Sequence, residues 1–271
     1  MAAIMLRVLL SSIVLSVTGC GATDEAPDSA NVDNPPGVIV TPAPPVNGLT
    51  QCGITQYSTP VKPMALPNGF SSVIMGSSSA AGAGASQGSL SWAGQFSAWQ
   101  QSSGRAVTNI AKGGHTTYQG LAQYCLTADS RPAPDNAHNV SQALALQPDL
   151  VIIAYPSNDA ALGWSANESV ANIMLIRSVL ADAGVASVVM SAQPRSLSAS
   201  RTALLQEFDR LLLQQLPDCV VSLYNALQQD NRLNPQYDAG DGVHLNDQGH
   251  AVVFDALREM LTQGDCVSLP E

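Results

Sequence analysis

From about residue 60 onward, short apolar runs alternate with longer stretches in which apolar positions recur every three or four residues. The runs cover 72–75, 106–110, 150–154, 187–190 and 220–223. Runs this short, rich in valine and isoleucine, predict strands buried on both faces. The helical spacing predicts helices over 87–102, 140–146, 166–183 and 200–216, with a last one over 246–261 after the final run. Buried strands separated by helices imply crossover connections, hence an α/β fold with a parallel sheet covered on both sides. Ligand sites in such folds lie beyond the carboxyl ends of the strands, so the segments that leave each run are where chemistry is sought. With 271 residues and 45% hydrophobic content, the chain can bury one substantial core.

The amino-terminal part follows another pattern. Residues 1–7 carry a single positive charge, at Arg7, and residues 8–17 are an apolar stretch. Ten residues are too few for a spanning helix, which needs roughly 20, but they suit the apolar region of a signal peptide. Val17-Thr18-Gly19-Cys20 follows directly and resembles the lipobox of bacterial lipoproteins, which predicts removal of residues 1–19 and lipidation at Cys20. Two acyl chains would hold the protein at a membrane surface without a spanning helix. Between Gly21 and Gln51 there is no lysine or arginine, and six of the 17 prolines fall there. A stretch of this kind buries too little to offset its conformational entropy, so residues 20–59 are expected to form an extended tether and residues 60–271 the folded domain.

Four cysteines remain after Cys20: Cys52, Cys125, Cys219 and Cys266. An even number in an exported chain predicts two disulfides, with three pairings open. No pair has C-x-x-C spacing, which argues against a zinc site. Without Arg7 the chain holds ten basic against 21 acidic residues, a poor surface for nucleic acid.

The first run leads into Gly76-Ser77-Ser78-Ser79-Ala80-Ala81-Gly82-Ala83-Gly84. A serine on the turn leaving a parallel strand presents its hydroxyl at the active edge, and small neighbours let a substrate approach the backbone. The third glycine of a dinucleotide fingerprint would fall on Gln87, and a nucleophile elbow would need glycine where Ala80 stands. Asp241-Gly242-Val243-His244 precedes the last helix. A carboxylate three residues before a histidine can hold one ring nitrogen and leave the other to take a serine proton. Asn246 is placed to cap the following helix, and His250, inside that helix, reads as structural. Two further strand-end segments could supply oxyanion donors: Asn109-Ile110-Ala111-Lys112-Gly113-Gly114 through a backbone N–H, and Tyr155-Pro156-Ser157-Asn158-Asp159 through the Asn158 amide.

In this order and on these strands, the four segments resemble the four blocks of the SGNH/GDSL hydrolase family. The glycine stretch resembles Gly-Asp-Ser-Leu-Thr-x-Gly-x-Gly, with Gly82 and Gly84 at the spaced glycines. The second segment is similar to Asn-x-Gly-x-Ser-Gly, the third to Gly-x-Asn-Asp and the fourth to Asp-x-x-His. Ser77, Ala111 and Pro156 depart from these patterns. Loss of the aspartate at 77 leaves the nucleophile open among Ser77, Ser78 and Ser79, with Ser78 the position in register.

With the strand pattern, the resemblance implies a flavodoxin-like three-layer sandwich of about five parallel strands and a serine esterase that works through an acyl-enzyme. Catalytic roles would fall to Ser78, Asp241 and His244, and the oxyanion hole to Ser78, Gly114 and Asn158, with no metal or organic cofactor. The small residues around Ser78, the 5% aromatic content and an envelope location favour an O-acetylated carbohydrate as substrate. Rivals are a lipase or lysophospholipase, a short-chain aryl esterase and a non-catalytic glycan-binding lipoprotein, and an intact Ser78, Asp241 and His244 speaks against the last.

Overall fold

A computed structural model describes residues 51–59 and 62–270. Cys20, the leader 1–19 and the tether up to residue 50 lie outside the described residues. Five strands, β1 (Ser72–Gly76), β2 (Val107–Asn109), β3 (Leu150–Ala154), β4 (Ala186–Met190) and β5 (Val220–Val221), form a wholly parallel sheet. Its spatial order is β2-β1-β3-β4-β5, the flavodoxin-like order. The main helices are α1 (Trp92–Gln101), α2 (Val140–Ala145), α3 (Asn158–Ala161), α4 (Ala166–Asp182), α5 (Ala199–Gln215) and α6 (Asp247–Gln263).

The layering follows from strand alternation. Val73, Met75, Val151, Ile153 and Val189 pack with Val140, Ile173, Ile176, Leu205 and Leu212, so α2, α4 and α5 cover one face. Ile74, Ile152, Val188 and Met190 pack with Trp92, Phe96, Phe254 and Leu257, so α1 and α6 cover the other. The chain steps from β1 outward to β2 and then back across β1 to β3. With one hand of crossover, that reversal puts α1 and α2 on opposite faces. The reversal also creates a crevice beyond the carboxyl ends of β1 and β3, where Ser77 and Tyr155 begin their loops.

Local signals set the helix boundaries. Ser91, Asn139, Ser165 and Asn246 each accept a backbone N–H from the first turn of the helix they precede, and Gly264 in the left-handed region ends α6. The strands over 106–110 and 220–223 are shorter than their apolar runs, since both lie at sheet edges where pairing is one-sided.

Among the described residues two disulfides are present, Cys52–Cys125 and Cys219–Cys266. The first corrects the tether boundary. Cys52 is buried in the core, and the Ser58 N–H donates to Ser178 Oγ (2.8 Å), so residues 51–59 pack on the domain instead of extending to its edge. A covalent bond and a buried side chain outweigh the low apolar content that suggested a tether. The second disulfide ties the start of β5 to a short parallel strand pair, Met64–Ala65 with Val267–Ser268, which joins the two ends of the domain.

Candidate active site

At the end of β1 the chain turns sharply: the Ser77 N–H donates to Ala154 of β3, and the Ala81 and Ala83 N–H groups donate back to the Ser77 and Ser78 carbonyls. Side chains alternate as the strand ends, so Ser77 and Ser79 are buried while Ser78 is half-buried and opens to the crevice. The Ser78 hydroxyl lies 3.0 Å from His244 Nε2. Of the three serines left open by sequence, it is the one that meets the histidine.

His244 sits on a loop built by acidic side chains that bind backbone N–H groups. Asp238 Oδ1 accepts from Gly240 (2.8 Å) and Gly242 (3.0 Å), and Asp241 Oδ1 accepts from Val243 (2.9 Å) and His244 (2.8 Å). Asp241 Oδ2 is 2.6 Å from His244 Nδ1. Burial opposes the Asp241 charge, but the His244 and Val243 N–H groups and the His244 ring outweigh it and hold the carboxyl down at about 2. Asp241 is therefore an acceptor at neutral pH, which puts the ring proton on Nδ1 and leaves Nε2 free to accept from Ser78.

Three contacts lock this loop to the serine turn. Gly84, at φ +89°, lies so close to the loop that an added Cβ would stand 2.2 Å from the Leu245 carbonyl oxygen and 2.9 Å from His244 Cβ. Asp247 accepts from the Ser86 N–H (2.8 Å) and hydroxyl (2.6 Å). His250, fully buried in α6, accepts from the Trp92 N–H at Nδ1 (3.3 Å) and donates from Nε2 to the Ala83 carbonyl (3.1 Å). Burial lowers the His250 pKa, in keeping with a neutral structural ring.

The other two segments border Ser78. The β2 loop is held by Asn109, whose amide donates to the Ala80 carbonyl (2.7 Å), and by the Lys112 N–H on Gly76 (3.0 Å). A Cβ on Gly113 would lie 3.8 Å from Ser78 Cβ, which locates the Gly113-Gly114 turn beside the hydroxyl. Gly114 has φ +80°, a conformation glycine adopts without strain. Asn158 opens α3 after β3, and its Nδ2 donates to the His115 carbonyl (2.8 Å), joining the third segment to the second. Next to it, buried Asp159 accepts from the Thr117 N–H (3.0 Å) and hydroxyl, and Asn172 donates to the same hydroxyl (2.9 Å). Burial raises the Asp159 pKa, against the pull of these bonds.

Ser78, Asp241 and His244 thus meet in one crevice, and the loops that carry Gly114 and Asn158 are joined to each other beside it. Arg195, which the motifs did not single out, also reaches it: its Nη1 donates to Asn158 Oδ1 (3.1 Å). The available signal was its place on the segment leaving β4, the same sheet edge that carries the other loops. Chemically, the arrangement can pass a serine proton to a histidine whose opposite nitrogen is held by a carboxylate.

None of the curated proteins matches the chain in sequence. Among solved structures, a Bacteroides fragilis protein described as an acylhydrolase aligns at TM-score 0.54 and 21% identity, covering 73% of this chain and 88% of its own. A protein of the G-D-S-L family from Desulfitobacterium hafniense aligns at 0.56 and 14%, covering 71% and 99%. A GDSL-like lipase from Bacteroides thetaiotaomicron aligns at 0.52 and 19%, covering 70% and 86%. Likeness at these identities speaks to the fold. Residues 74–252 match the model of the GDSL-like Lipase/Acylhydrolase family, most of the chain and all four segments, so the chain belongs to that family and is a serine hydrolase of carboxylic esters.

Proposed function

We propose that the chain is an exported, lipid-anchored esterase that removes O-acetyl groups from a carbohydrate, with Ser78 as nucleophile, His244 as base and Asp241 as its partner. The observation that carries the catalytic assignment is the hydrogen-bonded line from Asp241 Oδ2 through His244 to Ser78 Oγ, at 2.6 and 3.0 Å. Ser78 Oγ attacks the ester carbonyl carbon as His244 Nε2 takes its proton, and ionised Asp241 stabilises the imidazolium. The tetrahedral oxyanion is met by the N–H groups of Ser78 and Gly114 and by the Asn158 amide. Collapse expels the alcohol, which takes the proton from His244, and leaves an acetyl-serine; water activated by the same nitrogen releases acetate.

The acetyl preference is supported by the small residues beside the nucleophile, Ala81, Gly113 and Gly114, whereas Ala80 is wholly buried in the core and does not face the substrate. An acyl chain gains roughly 0.8 kcal/mol for each methylene it buries, and these residues offer little surface for that gain. Export and anchoring are supported by the leader, by Cys20 and by two disulfides, which belong to an oxidising compartment.

The test is turnover of p-nitrophenyl esters of increasing acyl length beside acetylated polysaccharides. Ser78→Ala and His244→Ala are expected to abolish turnover, and Asn158→Ala to lower kcat by roughly a hundred- to a thousandfold. Activity retained in Ser78→Ala but lost in Ser79→Ala would refute the nucleophile. Efficiency that climbs through octanoyl and decanoyl esters would refute the acetyl reading in favour of a lipase.

A further inference from the structure

Asn158 has one amide oxygen and two N–H groups to place. Its oxygen accepts from Arg195 Nη1 (3.1 Å), and its nitrogen donates to the His115 carbonyl (2.8 Å). One N–H remains uncommitted. Turned over by half a rotation, the amide would set its NH2 against the guanidinium, donor facing donor, and its oxygen against the His115 carbonyl, acceptor facing acceptor. Both partners therefore select a single orientation.

Arg195 is itself held for this task. It lies on residues 191–198, which leave β4 and bind both loops that flank the crevice. The Gln193 N–H donates to the Pro156 carbonyl (3.3 Å), Gln193 Nε2 donates to the Val243 carbonyl (2.7 Å) and the Ser196 N–H donates to the Gly242 carbonyl (2.7 Å). The guanidinium is half-buried, and its Nε has no partner among the described residues. A charge set there costs desolvation that an ordinary surface arginine avoids.

We propose that Arg195 is a positioning residue for the oxyanion hole, fixing the Asn158 amide so that its uncommitted N–H meets the developing oxyanion. The proposal rests on the assignment of Asn158 as an oxyanion donor. A cation on the amide oxygen also polarises the amide, making the remaining N–H a stronger donor to a negative oxygen than to the ground-state carbonyl. That difference between transition state and ground state is what raises kcat without tightening substrate binding.

The experiment is a double-mutant cycle on the full chain with p-nitrophenyl acetate, kcat being expressed per active site titrated with a fluorophosphonate so that unfolded protein does not count. Arg195→Met is expected to lower kcat about ten- to fiftyfold with KM within about twofold, and Asn158→Ala to lower it about a hundred- to a thousandfold. Arg195→Met in the Asn158→Ala background should cost less than about threefold, because no amide is left to orient. Arg195→Lys, which keeps a charged donor, should recover part of kcat in the wild-type background and none in the Asn158→Ala background. Fully multiplicative losses, or a raised KM at unchanged kcat, would overturn the positioning role and leave Arg195 as a substrate contact or a structural residue. Should Asn158→Ala alone stay within about threefold of wild type, the oxyanion assignment falls and this role falls with it.

Discussion

Replacement of Gly84 by alanine tests whether the serine turn and the histidine loop are held at their working distance by packing. Gly84 has φ +89°, where a side chain costs about 1–2 kcal/mol. Its Cβ would stand 2.2 Å from the Leu245 carbonyl oxygen and 2.9 Å from His244 Cβ, against an ordinary contact of 3.4–4 Å. The obstacle is backbone, so one loop must retreat by about an ångström. Ser78 Oγ and His244 Nε2, now 3.0 Å apart, would then part beyond hydrogen-bonding range. A misplacement of about 1 Å can cost roughly a hundredfold in rate. Gly84→Ala is therefore expected to lose about 2–4 kcal/mol of stability, combining strain with overpacking, and about a hundredfold in kcat on p-nitrophenyl acetate. Gly69→Ala is the control: it has φ +70° but open space around the added carbon, so it should lose only the conformational strain and no activity. Chemical denaturation and steady-state kinetics read the two effects separately. A folded Gly84→Ala enzyme within threefold of wild-type kcat would refute the idea that this contact sets the catalytic distance.

Four further outcomes are expected. Burial lowers the pKa values of His115 and His250, so the folded protein keeps both rings neutral while the unfolded chain protonates them near the usual 6.5. Their contribution to stability should be full above about pH 6.5 and fall on acidification toward the lowered values, by up to about 1.4 kcal/mol per pH unit for each ring, while buried Asp159 and Asp209, whose pKa values burial raises, act in the opposite direction; a wild type that loses no more stability between pH 7.5 and 5.5 than a His115→Gln/His250→Gln variant would contradict this. Thiol titration of the unfolded, unreduced domain should find none of Cys52, Cys125, Cys219 and Cys266 free. Loops of 73 and 47 residues predict a loss of about 4 kcal/mol when either bridge is removed, and a loss below about 1 kcal/mol would count against the chain-entropy account. Cys20→Ala should release the protein from membranes, and a variant that still partitions into the detergent phase would disprove the anchor.

The sequence by itself determined the parts of this protein that depend on neighbours along the chain. Apolar runs such as 150–154 and the three-to-four spacing of 246–261 located strands and helices, because side-chain direction repeats every two or 3.6 residues whatever the rest of the chain does. Asp241 and His244 were legible for the same reason: three residues apart on one turn, they reach each other locally. Tertiary structure decided what depends on distant segments. Ser78 was singled out from Ser77 and Ser79 by how the chain leaves β1 and by a partner 166 residues away. The cysteine pairing, open to three arrangements, was fixed by which sulfurs the packed domain brings together, and Cys52 drew residues 51–59 out of the tether that their composition suggested. Arg195 carried no motif at all. Its meaning comes from β4 lying beside β3 in the parallel sheet, which brings the segment after one strand against the amide after the other, a juxtaposition that no local spacing encodes.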